Sequence, residues 1–500
     1  MKKSKLPVEW INYIKFTDII LNDNCSNEYT VSNPFLHPTK PTYTRLRIIK
    51  ELNNKNISSL CKIKFKFYFY LIRSFLDVLK QFFISRKYIS KNTSRFIEKK
   101  YDLIFVSHLN STDRLETEVD SYYGNLINEL SKTKKILLIL IPHFKYSKKK
   151  VDIFLKKSRK YDIYIFSNEL VNIEKKIACI KSVLRERRKF ILLSKKNNGL
   201  KKNLLFFAGN SFLSPGNYSN LMNAIQLKTI LNPSNKKIII TTFEGFAWER
   251  LFFFHGHNSG NKFKCIGYQH TLIFKYQHSL TRCLNKKYNP DLILCSGVIS
   301  ADTLRNKMKN KNISIKVIGS PKGLKKNKYK VFPKKDHILF IPSGDIQEAK
   351  YMINFANQFA NKNKHISTFI RFHPILANSI KSLVKIKSNN LNISSSNLKE
   401  DCISSKWIVY ISSTAVYEGI CLNCIPIRLS SFLASDLSDP LWQIESRLIK
   451  KVSTTDELTR FLKKSSKNNQ YINSNFMKEL FNQVYKLRSN LNLEEIKKQI

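Results

Sequence analysis

Several short stretches of this 500-residue sequence combine residue types suited to phosphate binding and proton transfer. In Ile411-Ser412-Ser413-Thr414-Ala415, three hydroxyls stand where an apolar run gives way to a helical pattern. The free backbone N–H groups and dipole of a helix start favour an anion there, and Glu418, one turn on, suits a ribose. The competing reading is a plain N-cap, since Ser and Thr are preferred at that position whatever the function. In Arg371-Phe372-His373-Pro374 the proline ends a strand, so the His373 ring projects from its carboxyl edge beside the Arg371 cation. The loop Pro342-Ser343-Gly344 offers backbone amides and the Ser343 hydroxyl to a phosphate, and the same residues also suit a simple turn.

Proton transfer points to a different part of the chain. In Thr241-Thr242-Phe243-Glu244-Gly245-Phe246-Ala247-Trp248-Glu249-Arg250, Glu244 falls at a strand end and is the candidate general base. Glu249 comes five residues later, about 140° away if one helix ran through both, so it does not share a face with Glu244. With Trp248 and Arg250 it reads as structural support near the site. Gln269 and His270, in Gly267-Tyr268-Gln269-His270-Thr271, add polar contacts to the same wall. His108 and Asp113 follow an earlier strand, where an acceptor would approach.

These residues need a scaffold that brings strand ends together. Short Ile/Leu/Val/Phe-rich runs at 101–108, 135–142, 161–167, 203–209, 236–242, 263–269 and 291–297 read as buried strands separated by helical or basic stretches. A second series occupies 337–344, 365–374, 406–413 and 424–431, with helices predicted over 345–362 and 414–422. Such alternation predicts an α/β fold with two doubly wound Rossmann-like domains facing a cleft. The boundaries are a basic, aromatic-containing region at 1–98, a Rossmann-like domain at 99–325, a second at 330–470 and a helical tail at 471–500. Within the first region, 63–87 interleaves Lys and Arg with Phe and Tyr, which suits either an anionic membrane surface or packing on the next domain.

Composition narrows the function. With 87 Lys+Arg against 36 Asp+Glu the formal charge is +51, but only 18 of the basic residues are Arg and they run along the whole chain. That pattern argues against a dedicated nucleic-acid groove. No G-x-G-x-x-G follows the first strand and no P-loop motif occurs, which removes dinucleotide dehydrogenases and P-loop NTPases. The nine cysteines lack a framework spacing, so a reducing, cytoplasmic setting and no metal site are expected, with contact limited to the inner membrane face. No signal peptide or uncharged apolar stretch of spanning length is read.

The series E-G-x-x-W-E, G-Y-Q-H, R-x-H-P and S-S-T-A-x-x-E-G resembles bacterial surface-carbohydrate glycosyltransferases of the GT-B fold, and its H-P and S-S/T pair is similar to that of sialyl-, polysialyl- and Kdo-transferases. The resemblance covers roughly residues 100–430. It implies that His373, Ser412, Ser413 and Thr414 hold a CMP-type sugar donor and that Glu244 is the base. Those families commonly carry two acids before the glycine, whereas Phe243 stands at the first place here. The expectation is an inverting transferase acting on a glycan or lipid-linked acceptor in capsule or O-antigen assembly, with no cofactor, since no D-x-D occurs. The alternatives are a polyol-phosphate transferase or nucleotide-sugar epimerase of the same fold, and a non-catalytic scaffold binding membrane or RNA.

Overall fold

The computed structural model describes residues 6–23, 26–53, 57–82, 99–109, 119–143, 154, 160–231, 238–260, 263–308, 312–321, 335–376, 387–430, 437–443, 449–467, 479 and 481–486. Its helices include α1 (Leu6–Leu21), α2 (Tyr43–Asn53), α3 (Ile57–Phe82), α4 (Ile173–Lys195), α5 (Gly199–Ser211), α6 (Ala247–Asn258), α7 (Ile346–Lys362) and α8 (Val416–Cys421).

Two parallel sheets organise the chain. The first contains β1 (Leu103–Leu109), β2 (Ile136–Pro142), β3 (Asp162–Ile165), β4 (Ile238–Thr242), β5 (Lys264–Gln269), β6 (Leu292–Cys295) and β7 (Ser314–Val317), in the order β3-β2-β1-β4-β5-β6-β7. The second contains β8 (Lys335–Phe340), β9 (Ser367–Ile370), β10 (Leu391–Ile393), β11 (Ser405–Tyr410), β12 (Ile425–Leu429) and β13 (Lys450–Val452), in the order β10-β9-β8-β11-β12-β13. In both, the chain runs outward from a central strand, returns and continues on the other side, which is the doubly wound pattern. Alternate residues feed opposite cores: Ile104 and Val106 pack on one side of the first sheet, Leu103 and Phe105 on the other. The second sheet repeats this with Leu339 and Ile408 against Ile338 and Trp407. Burial on both faces is why these strands read as continuous apolar runs.

One apolar run takes the other conformation. Residues 203–209, expected as a strand, lie inside α5. Leu204, Leu205 and Ala208 form one buried side of that helix, which packs along α4, and Gly209 lies against Phe190. A short apolar run does not distinguish strand from buried helix, and here the whole stretch from Gly199 to Ser211 folds as one element.

Much of the compositionally distinct region 1–98 belongs to the first domain. Trp10, Tyr13, Leu36, Leu46 and Ile49 sit in its main core. The Trp10 indole donates to the Tyr276 carbonyl at 3.1 Å, and Arg282 donates to the Leu36 carbonyl at 2.7 Å and to Thr17 at 2.9 Å. The same region also reaches the second domain, where the Thr44 backbone N–H and hydroxyl bond the Asp345 carboxylate at 2.9 and 3.0 Å.

Residues 481–486 make a second crossing. Phe481, Val484 and Tyr485 complete a core of the second domain beside Tyr417. The Ser320 N–H donates to the Lys486 carbonyl at 2.7 Å, and the Ser296 hydroxyl to that of Val484 at 3.1 Å. At Gly297 an added Cβ would lie 2.2–2.3 Å from the carbonyl oxygens of Gln483 and Val484, so the close approach requires glycine.

Candidate active site

In a doubly wound sheet the loops leaving the two central strands diverge and open a crevice at the carboxyl edge. In the first sheet those strands are β1 and β4; in the second they are β8 and β11. The two edges face each other. Leu272, in the loop after β5, enters the second domain's core with Val416 and Tyr417, which come after β11. The Trp442 indole donates to the Ile273 carbonyl of that loop at 3.0 Å. His108 and Glu244 lie at or after β1 and β4 at the first edge, and Ser343, Ser413 and Thr414 come after β8 and β11 at the second.

On the first wall Glu244 comes after β4 and is partly exposed. Its Oε1 accepts from the Thr271 hydroxyl at 2.9 Å and lies 3.7 Å from His270 Nε2. The Tyr122 ring meets both His270 and His108 edge-on, at centroid distances of 4.5 and 5.3 Å. His108, at the end of β1, bonds the Thr242 hydroxyl at 3.1 Å through Nε2 and His143 at 2.7 Å through Nδ1. Glu244, His270, Tyr122, His108 and His143 thus form one polar cluster. Gln269 is buried, its amide donating to the Thr271 carbonyl. Asp113 lies outside the described residues.

The Glu244 loop is held from behind. Gly245 has φ +82° and separates Glu244 from α6, so the two glutamates do not lie on one helix. Glu249, at the third position of α6 and fully buried, turns back to accept from the N–H groups of Glu244 at 3.0 Å, Gly245 at 2.7 Å and Phe246 at 2.8 Å. Burial pushes its pKa well up, while these donors pull against that shift. Arg250 lies beneath and donates to the Ser279 carbonyl and the Asn289 side chain, both at 2.6 Å. Its burial, and then the Arg282 cation, bring its pKa down to about 9. Trp248 packs edge-on against His108 at 5.3 Å. An added Cβ at Gly245 would come within 2.3–2.5 Å of the Ser279–Leu280 backbone. Gly245→Ala is therefore expected to cost about 2–4 kcal/mol, adding left-handed strain to overpacking, and to displace Glu244. A urea midpoint unchanged from wild type would count against this account of the loop.

On the second wall the first turn of α7 carries a carboxylate that the sequence motifs do not single out. Glu348, buried, accepts from the Ser343 N–H at 2.9 Å and from the Ser412 hydroxyl at 2.5 Å. It joins the loops after β8 and β11. Burial raises its pKa, opposed first by the Ser412 hydrogen bond and also by the charge of Lys40. Lys40 itself lies 4.4 Å over the Phe274 ring, so a cation from the chain's N-terminal region stands between the walls. The signal for Glu348 was present, because Asp345 caps α7 and Glu348 occupies its third position, the spacing of a reciprocal cap.

Ser412 is thus engaged with Glu348. Ser413 and Thr414 do not cap a helix: α8 begins at Val416 rather than at Thr414, its N-cap is Ala415, and no side chain caps it. Ser413 is buried, and Thr414 and Glu418 are partly exposed. His373 is exposed and packs on Gly344, where an added Cβ would lie 3.4 Å from the ring nitrogen Nδ1. Arg371 points elsewhere. Its guanidinium donates to Asp401 at 2.7 Å and Ser394 at 3.1 Å, which ties β9 to the strand and helix beyond it. Its place is in positioning that edge rather than beside His373.

Among the described residues, one trio has atoms close enough for a metal: His257, Cys265 and Asp291. Cys265 is at the start of β5, opposite to the cleft edge. The Asp291 carboxylate already accepts from the Cys265 N–H at 2.8 Å and bonds His257 at 3.1 Å, and burial pushes the Cys265 thiol up. Cys421 and Cys424 are buried thiols, and that of Cys424 donates to the Cys402 carbonyl at 3.1 Å.

No protein-family model matches the chain, and no curated protein matches it in sequence. Among solved structures it is similar to S. aureus MnaA in complex with UDP (11% identity, TM-score 0.40, covering 80% of this chain and 95% of that one). It is also similar to the glycotransferase of kitacinnamycin (9% identity, TM-score 0.43, covering 80% and 98%). A third is Arabidopsis thaliana UGT89C1 (10% identity, TM-score 0.42, covering 80% and 99%). Likenesses of this size transfer no residue roles. The two doubly wound sheets and their facing edges are seen in the chain itself.

Proposed function

We propose that the protein is an inverting glycosyltransferase that moves a sugar from a nucleotide donor to a glycan or lipid-linked acceptor. One observation carries the reading: the Glu244 carboxylate, buttressed by Thr271 and His270, stands at the switch point of one sheet, and the Ser413 and Thr414 hydroxyls stand at that of the other, with His373, after the neighbouring β9, packed on Gly344. Glu244 takes the proton from the acceptor hydroxyl as the new glycosidic bond forms. The bond from the anomeric carbon to the phosphate oxygen breaks, and its electrons leave with the nucleotide. His373, Ser343, Gly344, Ser413 and Thr414 offset the charge that develops on that phosphate. Ser412 acts through Glu348, holding the two donor loops together.

The donor class is open to direct test. Melting of the purified protein is to be followed with CMP, CDP, UDP, GDP and dTDP, alongside His373→Ala. Ligand at about 100 times its dissociation constant adds about 2.7 kcal/mol, so one nucleotide should raise the melting temperature and the variant should lose most of that rise. No shift with any nucleotide would remove the transferase reading. CMP alone would favour the sialyl- or Kdo-type donor. Product formed from the bound donor without acceptor would favour an epimerase.

A further inference from the structure

Helix α3 leaves an apolar stripe uncovered. Phe65, Tyr68, Phe69, Ile72, Phe75, Leu76 and Leu79 are each 51–75% exposed. At 100° per residue these seven fall within about 120° of the helix surface, one continuous face. The opposite side is the one that packs. Phe67, Ser74 and Val78 are buried, α3 contacts α4 and α5, and the Arg187 guanidinium stacks over Phe67 at 3.9 Å.

Charge is sorted in the same way. The helix sequence holds five basic residues, Lys62, Lys64, Lys66, Arg73 and Lys80, and a single acid, Asp77. Asp77 is turned to the protein side, where it accepts from Lys176 at 2.7 Å and from the Tyr218 hydroxyl at 2.8 Å. Lys66 and Arg73 are exposed. By the helical repeat Lys66 and Arg73 lie about 100–120° from the centre of the stripe, along one margin of it. A face of bulky apolar and aromatic side chains with a basic margin and no acid is what the boundary between acyl chains and anionic headgroups accepts. Among the described residues no helix is long and apolar enough to cross a membrane, so the arrangement is one of lying on a surface.

We propose that α3 docks the protein on an anionic lipid bilayer, with the Phe65–Leu79 stripe at acyl-chain level and Lys66 and Arg73 at the headgroups. The inference does not depend on the transferase reading. The test is co-sedimentation of the full chain with vesicles of phosphatidylcholine alone and of phosphatidylcholine with one quarter phosphatidylglycerol, at physiological salt. Wild type should bind the anionic vesicles and not the neutral ones. Phe69→Glu/Phe75→Glu should weaken partitioning about tenfold or more, and Lys66→Glu/Arg73→Glu should weaken it too, each with an unchanged melting temperature because the altered side chains are exposed. Three results would overturn the proposal: no binding by wild type, binding that survives both variants and therefore belongs to the general +51 charge, or a concentration-dependent dimer in sedimentation that Phe69→Glu/Phe75→Glu abolishes.

Discussion

Glu244→Gln is expected to lower turnover about 100- to 10,000-fold, the range usual for loss of a general base. In activation free energy that is roughly 3–5 kcal/mol. The substitution keeps the shape of the side chain and still offers an oxygen to the Thr271 hydroxyl, so the loop after β4 should hold its place. The effect should fall on the rate alone. Stabilisation by the nucleotide should match wild type, because the residues proposed to hold the donor, Ser343, His373, Ser413 and Thr414, belong to the other domain. The measurement is initial transfer rate with the donor identified by melting, paired with the melting shift itself. Turnover within threefold of wild type would remove Glu244 from the chemistry and leave His270, 3.7 Å away, as the next base to test.

The second large effect concerns stability. Glu249→Ala removes the acceptor of the Glu244, Gly245 and Phe246 N–H groups in a site where no water reaches the side chain. Each buried donor left unsatisfied costs about 1–3 kcal/mol, so with partial relaxation the loss should be roughly 3–5 kcal/mol. For a domain of this size the melting temperature would fall on the order of 10 °C. Glu249→Gln retains one acceptor oxygen and should lose clearly less. Equal loss in the two variants would mean that packing, not hydrogen bonding, explains the burial of Glu249. Glu348 stands in the same relation to the second domain. It too occupies the third position of the helix after a central strand, and it too reaches back to the loop ahead of it. Each domain therefore braces its functional loop with a first-turn glutamate.

How legible each element is in the sequence depends on how it is buried. Central strands such as Leu103–Leu109 and Ile136–Pro142 are covered on both faces and announce themselves as unbroken apolar runs. Three edge strands carry no such mark: β7 is Ser-Ile-Lys-Val, β10 Leu-Asn-Ile and β13 Lys-Lys-Val, whereas the edge strand β3, Asp-Ile-Tyr-Ile, is buried enough to be read as a strand. The N-terminal helices are opaque for another reason. They join the first domain partly through long-range polar bonds, Arg282 to Thr17 and Leu36 among them, which have no local periodicity. At the site, strand ends are legible because Thr, Ser and Glu come directly after apolar runs there. Which hydroxyl faces the cleft is not. Ser412 turns to Glu348 and Arg371 to Asp401, and both choices depend on partners distant in sequence.

The return of residues 481–486 to the first domain also sets an order of assembly. A chain emerging from synthesis can complete the first sheet long before these residues exist, and domains generally fold as they appear. Until then the bare approach at Gly297 and the Ser320 N–H face solvent, and the first domain carries an unfilled seat. The seat is taken only after the second domain has been made, and the same residues then close that domain's core beside Tyr417. Completion of the second core and one of the contacts between the domains therefore depend on the same six residues.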